Sequence, residues 1–222
     1  MNNTITIHTQ DQYPITATLF EPENANGKLL LVNSATGVKQ QTYYSFAQHF
    51  ADLGFVVITY DYRGVALSKP DQLKGFKASM RTWGNTDYKA VTDFIEEHYP
   101  HHRKFLIGHS VGALILGMNK GSEIFEKFCF VATQNTYFGH LSPRIKMLGL
   151  LGFGLYQPVL TRVKGYFKTY FVNLGESLPK GVSDDWRTLI MNRKSVNRLL
   201  EKTENFSKNL HQEVLYLNMQ DD

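Results

Sequence analysis

A serine set between two glycines lies near the middle of the chain, where GHSVG occupies residues 108–112 and matches the pattern G-x-S-x-G. The motif directly follows the apolar run 104–107 and opens a helical pattern at 111–116. A sharp turn from strand to helix lifts a serine hydroxyl above a sheet, and flanking glycines permit the tight turn and close packing. This context predicts that Ser110 is a nucleophile rather than the capping serine of a glycine-rich turn.

The elements around this turn alternate along the chain. Short β-type or apolar runs predict strands at 4–8, 15–20, 28–32, 55–60, 104–107, 128–132 and 213–217, the first two forming a hairpin. Apolar residues at helical spacing predict helices at 42–53, 81–98 and 111–118. Such alternation indicates an α/β fold with a mostly parallel sheet and helices on both faces. No clean strand pattern occurs between about 138 and 206, so we expect a cap inserted after the strand at 128–132.

Composition limits the possible functions. The 222 residues, 42% of them hydrophobic, suit one domain spanning 1–222. A net charge of +4 without a long basic run argues against nucleic-acid binding. One cysteine excludes an internal disulfide, and no metal-ligand spacing or phosphate-binding loop suggests a metal or a cofactor.

The N-terminus lacks a signal-peptide pattern, which favours a cytoplasmic location. The uncharged run 147–161 is too short for stable membrane insertion, which takes about 18 residues or more.

Four segments together resemble a known superfamily. They are NSATGVKQQTYY, FVVITYDYRG, GHSVGA and, after the predicted cap, EVLYLNMQDD. These segments are similar to those of α/β-hydrolases, and more narrowly of the serine-aminopeptidase-like, lysophospholipase-like branch of predicted hydrolases. The resemblance implies the α/β-hydrolase fold and a serine hydrolase. It also implies that Asp61 and Arg63, in the branch's D-x-R-G turn, have structural roles.

The resemblance implies an oxyanion hole built from two backbone N–H groups. One comes from the loop after the strand at 28–32, and the other from the residue after the nucleophile. We expect Ala35 to supply the first, with Thr36 as the alternative, and Val111 to supply the second.

The acid and the base of a triad are harder to place. The family pattern of strand, short turn and aspartate favours Asp222 as the acid, with Asp221 as the alternative. Triad order in this fold puts the histidine after the acid, and no residue follows Asp222. We therefore expect the chain to be a C-terminally incomplete fragment. Of the eight histidines upstream, only His140 follows the carboxyl end of a strand, and packing in the cap is its expected role.

The sequence thus predicts a serine hydrolase that cleaves carboxylic ester, thioester or amide bonds through an acyl-enzyme on Ser110. Without the histidine we expect little activity from the chain as it stands. The aromatic and aliphatic side chains of the cap suggest a roof over an apolar pocket, and hence a small acyl or aryl substrate. The alternative is a non-catalytic α/β-hydrolase-like binder of a small apolar ligand.

Overall fold

One seven-stranded sheet organises the computed structural model, which describes residues 2–133, 135–169 and 175–218. Its strands are β1 (Asn2–His8), β2 (Pro14–Phe20), β3 (Lys28–Asn33), β4 (Phe55–Tyr60), β5 (Arg103–His109), β6 (Lys127–Val131) and β9 (Glu213–Leu217), while β7 (Tyr166–Phe167) and β8 (Leu178–Pro179) form a separate pair. The order across the large sheet is β1-β2-β4-β3-β5-β6-β9. The pairs β1–β2 and β2–β4 are antiparallel, and the others are parallel. The predicted α/β fold with a mostly parallel sheet is confirmed.

Helices connect these strands. The α-helices are α1 (Tyr44–Asp52), α2 (Met80–Thr82), α3 (Tyr88–His98), α4 (Val111–Leu114), α5 (Pro143–Gly149), α6 (Gln157–Lys164), α7 (Lys180–Met191) and α8 (Val196–Leu200). Wider π turns, Trp83–Asp87 and Leu150–Tyr156, join α2 to α3 and α5 to α6. The helix predicted at 81–98 is therefore present with a π turn near its start.

Alternate residues of each central strand pack against helices on opposite faces. On β3, Leu30 and Val32 contact the side of α1 that carries Ala47 and Ala51. Leu29 and Leu31 point the other way, into the larger core. This core also contains Val91 and Ile95 of α3 and the fully buried side chain of Trp83. A strand buried on both faces must be apolar at every position, which explains why the run 28–32 lacks an alternating pattern.

The helix after the serine motif differs from its prediction. The sequence predicts a helix over 111–118, whereas α4 ends at Leu114 and a 3₁₀ turn occupies Leu116–Met118. Gly112 and Gly117 both lower helix propensity. Asn119 then caps the next short helix by accepting a hydrogen bond from the Gly121 N–H at 2.6 Å. A helix of four residues contributes only a small dipole at its N-terminus, next to Ser110.

The segment between β6 and β9 holds α5 to α8 and the β7–β8 pair, as expected of a cap inserted after β6. Its buried side includes Phe153 and Phe167, whose rings lie near each other. The ring of Phe153 also lies near that of Trp186 on α7. Within the described residues, no helix is both long and apolar enough to cross a bilayer.

Candidate active site

Ser110 lies in a strained turn between β5 and α4. Its backbone angles are φ 51° and ψ −115°, a region that L-residues rarely occupy. The turn is held on both sides, since the Ser110 N–H donates to the Val131 carbonyl at 2.9 Å and the Ala113 N–H donates to the Ser110 carbonyl at 3.1 Å. Strain of this kind costs about 1–3 kcal/mol and persists only where the surrounding structure enforces it. The backbone is therefore that of the strand-turn-helix predicted from the motif.

The two motif glycines are required by close packing and not by φ. A Cβ on Gly108 would lie 2.7 Å from the backbone N and Cα of Ala113. A Cβ on Gly112 would lie 2.4 Å from the backbone oxygen of Asn33. Both neighbours are backbone atoms that no rotamer change can move. The glycines thus let the start of α4 pack directly against β5 and against the end of β3.

Asn33, the last residue of β3, joins the predicted oxyanion loop to the serine turn. Its side-chain amide donates to the Gly112 carbonyl at 3.1 Å and accepts from the Tyr60 hydroxyl at 2.9 Å. All of these groups are buried, and a satisfied buried amide fixes local geometry. This role could be suspected from the sequence, because Asn33 is a polar residue directly after a buried apolar strand.

The predicted oxyanion donors have different environments. Val111 begins α4, so its N–H lies in the first turn, where N–H groups have no partner within the helix. Ala35 is buried, and its N–H donates to the hydroxyl of Tyr43 at 3.0 Å. Thr36, the alternative, is half-buried. A carbonyl oxygen that used the Ala35 N–H would have to share it with Tyr43 or displace that hydroxyl.

Tyr43 links the oxyanion loop to the residue before the nucleophile. Its hydroxyl accepts from Ala35 and lies 2.8 Å from Nδ1 of His109. Burial raises the pKa of Tyr43 to about 12, so the hydroxyl keeps its proton and can donate it to that nitrogen. The three residues are up to 74 positions apart in sequence, which is why no local pattern predicted the contact.

A catalytic acid and base are not assembled within the described residues. Asp221 and Asp222, the predicted acids, lie outside them. In the part of the chain that is described, no histidine is hydrogen-bonded to the side chain of Ser110. His140 is exposed, and its ring contacts Tyr137 edge-on with centroids 5.3 Å apart. This is the cap packing expected of it.

Asp61 and Arg63 make contacts of a structural kind. Asp61 accepts from the backbone N–H and side-chain amide of Gln40, at 2.8 and 2.9 Å, and from the Leu67 N–H. Burial nevertheless raises the pKa of Asp61. Arg63 binds Asp87 through Nε at 2.6 Å and Asp11 through both terminal nitrogens, at 2.7 and 2.8 Å. These bonds tie the loop after β4 to the β1–β2 turn and to the π turn before α3.

Comparison with known proteins agrees with this geometry. A family model described as serine aminopeptidase, S33, matches residues 26–119, which include the oxyanion loop and the serine turn. No curated protein sequence matches the chain. A carboxyl esterase from Bacillus coagulans superposes with a TM-score of 0.54 at 17% identity, over 77% of this chain and 54% of its own. An esterase from Pyrococcus furiosus superposes with a TM-score of 0.56 at 14% identity, over 99% of this chain and 83% of its own. An α/β serine hydrolase without a lid from Xanthomonas campestris superposes with a TM-score of 0.51 at 13% identity, over 97% of this chain and 83% of its own.

The chain has the α/β-hydrolase fold. Its resemblance to that superfamily is confirmed, and the match to the serine-aminopeptidase branch covers the first half, where the site lies. At these identities the superpositions establish the fold and leave the chemistry to be argued from the site. The chain spans about half the length of the Bacillus coagulans enzyme, 54%, so its activity is a matter for proposal.

A groove lies on the face of the sheet that carries α1. Its volume is about 1110 Å³, and its floor includes Phe105, Ile107, Cys129 and Leu215. His109 lines it, but Ser110 does not. Nor does the cap supply the expected roof through Leu148, Leu151, Leu155 and Val159, which are all exposed. Among the described residues, no cluster of three or more His, Cys, Asp or Glu is placed to hold a metal ion.

Proposed function

We propose that this protein is a serine hydrolase that cleaves carboxylic ester, thioester or amide bonds through an acyl-enzyme on Ser110. The observation that carries the proposal is the backbone of Ser110, a non-glycine residue held at φ 51° between β5 and α4. The hydroxyl attacks the carbonyl carbon, the oxygen of that carbonyl gains negative charge, and the leaving group departs after protonation. Water then attacks the acyl-enzyme and releases the acid.

In this proposal the backbone N–H groups of Val111 and of Ala35 or Thr36 bind the oxyanion. One lost donor of this kind typically lowers kcat by about 10²–10³. A histidine takes the serine proton, and Asp222, or Asp221, orients it. The substrate is a small molecule with an apolar acyl or aryl group. Cytoplasmic location stays a prediction from the N-terminal sequence.

A fluorophosphonate probe tests the nucleophile directly, because it reacts stoichiometrically only with an activated serine. We expect labelling of the parent and of Ser45→Ala, a control at an exposed serine of α1, and none of Ser110→Ala. Hydrolysis of p-nitrophenyl butyrate should follow the same order. Equal labelling of Ser110→Ala would refute the assignment.

A second candidate is a non-catalytic binder of a small apolar ligand. The hydrogen bond from the Ala35 N–H to Tyr43 favours it, because this donor already has an acceptor. A binder would take up a fluorescent fatty acid equally well in the parent and in Ser110→Ala, and would not react with the probe. Probe labelling of Ser110 at neutral pH would exclude this alternative.

A further inference from the structure

The cap presents an apolar side to solvent along its first helical run. Helix α5, the π turn Leu150–Tyr156 and α6 follow one another without a break, and the residues at both joints have right-handed helical angles. At 1.5 Å per residue the run 143–164 is about 30 Å long. Its exposed large hydrophobic side chains are all aliphatic or methionine: Ile145, Met147, Leu148, Leu150, Leu151, Leu155, Val159 and Val163. We call this surface the 143–164 face.

The opposite side of the run anchors it to the domain. Phe153, Gln157 and Thr161, four residues apart, are buried. The Gln157 amide donates to Ser183 and to Asp184 on α7, at 2.9 Å each. These contacts fix the second half of the run, so Leu155 and Val163 face outward, whereas α5 has no buried residue and Leu148 is exposed with the rest of that helix. Leu155 is 63% exposed and Val163 is 70% exposed, so neither is shielded by the domain itself.

The charge carried by this part of the sequence is of one sign, although Asp184 of α7 contacts Gln157 on the side of the run that faces the domain. Between residues 127 and 175 the sequence has six lysines and arginines and no aspartate or glutamate, which more than accounts for the formal net charge of +4. Four of these cations lie on the run itself, Arg144 and Lys146 near its start and Arg162 and Lys164 at its end. All four are exposed, and none forms an ion pair with a described residue.

We propose that the 143–164 face docks the protein on the surface of an anionic lipid bilayer. In such an arrangement the exposed aliphatic side chains contact the acyl chains of the lipids. The cations at both ends of the run, which form no ion pair with a described residue, contact the anionic headgroups. A protein partner fits less well, because protein interfaces concentrate aromatic side chains at their centre and this face exposes only aliphatic residues and methionine. The run lies along the membrane plane, with its Gln157 side facing the domain.

The charge contribution has a definite size. Each basic residue close to an anionic surface strengthens partitioning about fivefold. Replacing both Arg162 and Lys164 with glutamine should therefore weaken binding about 25-fold to 30-fold. Removing Leu155 and Val163 as apolar contacts, by serine at both positions, should weaken it tenfold or more.

Flotation with vesicles tests the proposal on the full chain. We expect binding to vesicles of 30% phosphatidylserine in phosphatidylcholine, little binding to phosphatidylcholine alone, and weaker binding at 0.5 M salt than at 0.1 M. The charge variant R162Q/K164Q has a matched control in K202Q/K208Q, two exposed lysines outside the run. The apolar variant L155S/V163S has one in L53S/L67S, whose leucines are 55% and 52% exposed.

The proposal is supported if both face variants lose binding and both controls keep it, with all four melting cooperatively like the parent. No binding to either vesicle would overturn it, as would equal losses in the face variants and their controls. Sedimentation velocity without lipid tests whether a second copy of the chain occupies this face instead. If the parent is a dimer that L155S/V163S converts to a monomer, and vesicles bind neither, the face pairs two copies of the chain and the membrane proposal is wrong.

Discussion

Replacing Arg63 with methionine should lower the free energy of unfolding by about 3–5 kcal/mol, because it leaves the carboxylate of Asp87 buried without its counter-charge. The Asp87 side chain is 0% exposed and that of Arg63 only 4%. Asp87 accepts from Nε of Arg63 at 2.6 Å and from the backbone N–H of the same residue at 2.9 Å. Burial raises the pKa of Asp87 to about 7 even beside the guanidinium, so the experiment belongs at pH 8, where the carboxylate is ionised in the parent.

A double-mutant cycle separates the pair from the loss of each side chain alone. Asp87→Leu should cost a similar amount, since it leaves the Arg63 guanidinium with only Asp11. The double variant R63M/D87L should cost clearly less than the sum of the singles, because it leaves no unpaired buried charge. Asp11→Asn is the control. Its side chain is 56% exposed, so its bond to Arg63 should be worth about 1 kcal/mol or less.

Urea unfolding at pH 8, followed by far-UV circular dichroism, measures these differences. For a chain of this size, a loss of 1 kcal/mol in the free energy of unfolding lowers the melting temperature by roughly 2–4 °C. In a thermal melt, Arg63→Met should therefore unfold about 6–20 °C below the parent. A cost for Arg63→Met within about 1 kcal/mol of zero, or single-variant costs that simply add in the double variant, would refute the reasoning. Either result would mean that solvent or relaxation screens Asp87 far more than its burial implies.

Gly112→Ala should lower stability by about 1–3 kcal/mol in urea unfolding, because the new Cβ would lie 2.4 Å from the backbone oxygen of Asn33, while Gly152→Ala, with no atom within 4 Å of its Cβ, should be neutral or stabilising. Tyr43→Phe leaves a buried backbone N–H without its acceptor and should cost about 1–3 kcal/mol by the same measurement; no change in the unfolding midpoint would contradict that bond. The pKa of Asp87 is about 7 in the folded state and about 4 when unfolded, so the folded state holds the extra proton and stability should fall as the pH rises from 4 to 7. Asp87→Asn should remove that slope, and an unchanged slope would assign it to another group.

The strands were predictable because a short run of apolar and β-type residues leaves a strong local signal. The runs 55–60 and 213–217 match β4 and β9 residue for residue. Each is a short run rich in apolar and β-type residues with turn residues nearby, and sheet pairing requires little more of the sequence than that. The serine turn was predictable for a similar reason. The glycine spacing and the strand before it describe a single backbone path, and φ 51° at Ser110 lies on that path.

The arrangement around the oxyanion loop could not be predicted in the same way. Tyr43, Ala35 and His109 come together because the turn before α1 and the loop after β3 both lie beside the end of β5, and such proximity depends on the whole sheet order. The length of α4 is also set by tertiary contacts. Gly112 is used to bring backbones together, and that use lowers the propensity of the helix that the local pattern suggests.

The apolar side chains of the cap helices do not all face the core. Hydrophobic periodicity assumes that the apolar side of a helix faces the core. In the run 143–164 the buried side includes the polar residues Gln157 and Thr161, whereas Leu155 and Val159 face outward. Gln157 is stabilised inside by its bonds to α7, and Thr161 by its bond to the Gln157 carbonyl at 2.9 Å. These polar contacts, together with the packing of Phe153 against Phe167 and Trp186, fix the rotation of the run, so Leu155 and Val159 face solvent and do not line the groove.

Two exposed apolar surfaces then remain, and their charges distinguish them. At the rim of the groove, Arg103 is paired with Glu126 and Lys127 with Glu213, so two of its cations are already neutralised within the chain. Paired surface charges gain little from an anionic membrane, because the lipid must compete with a carboxylate at contact distance. The cations of the 143–164 face have no such competitor among the described residues. Unpaired charge combined with exposed aliphatic side chains is what an anionic bilayer surface binds. Among the described lysines and arginines that line the groove, Lys28 alone is outside an ion pair, against four such cations on the 143–164 face.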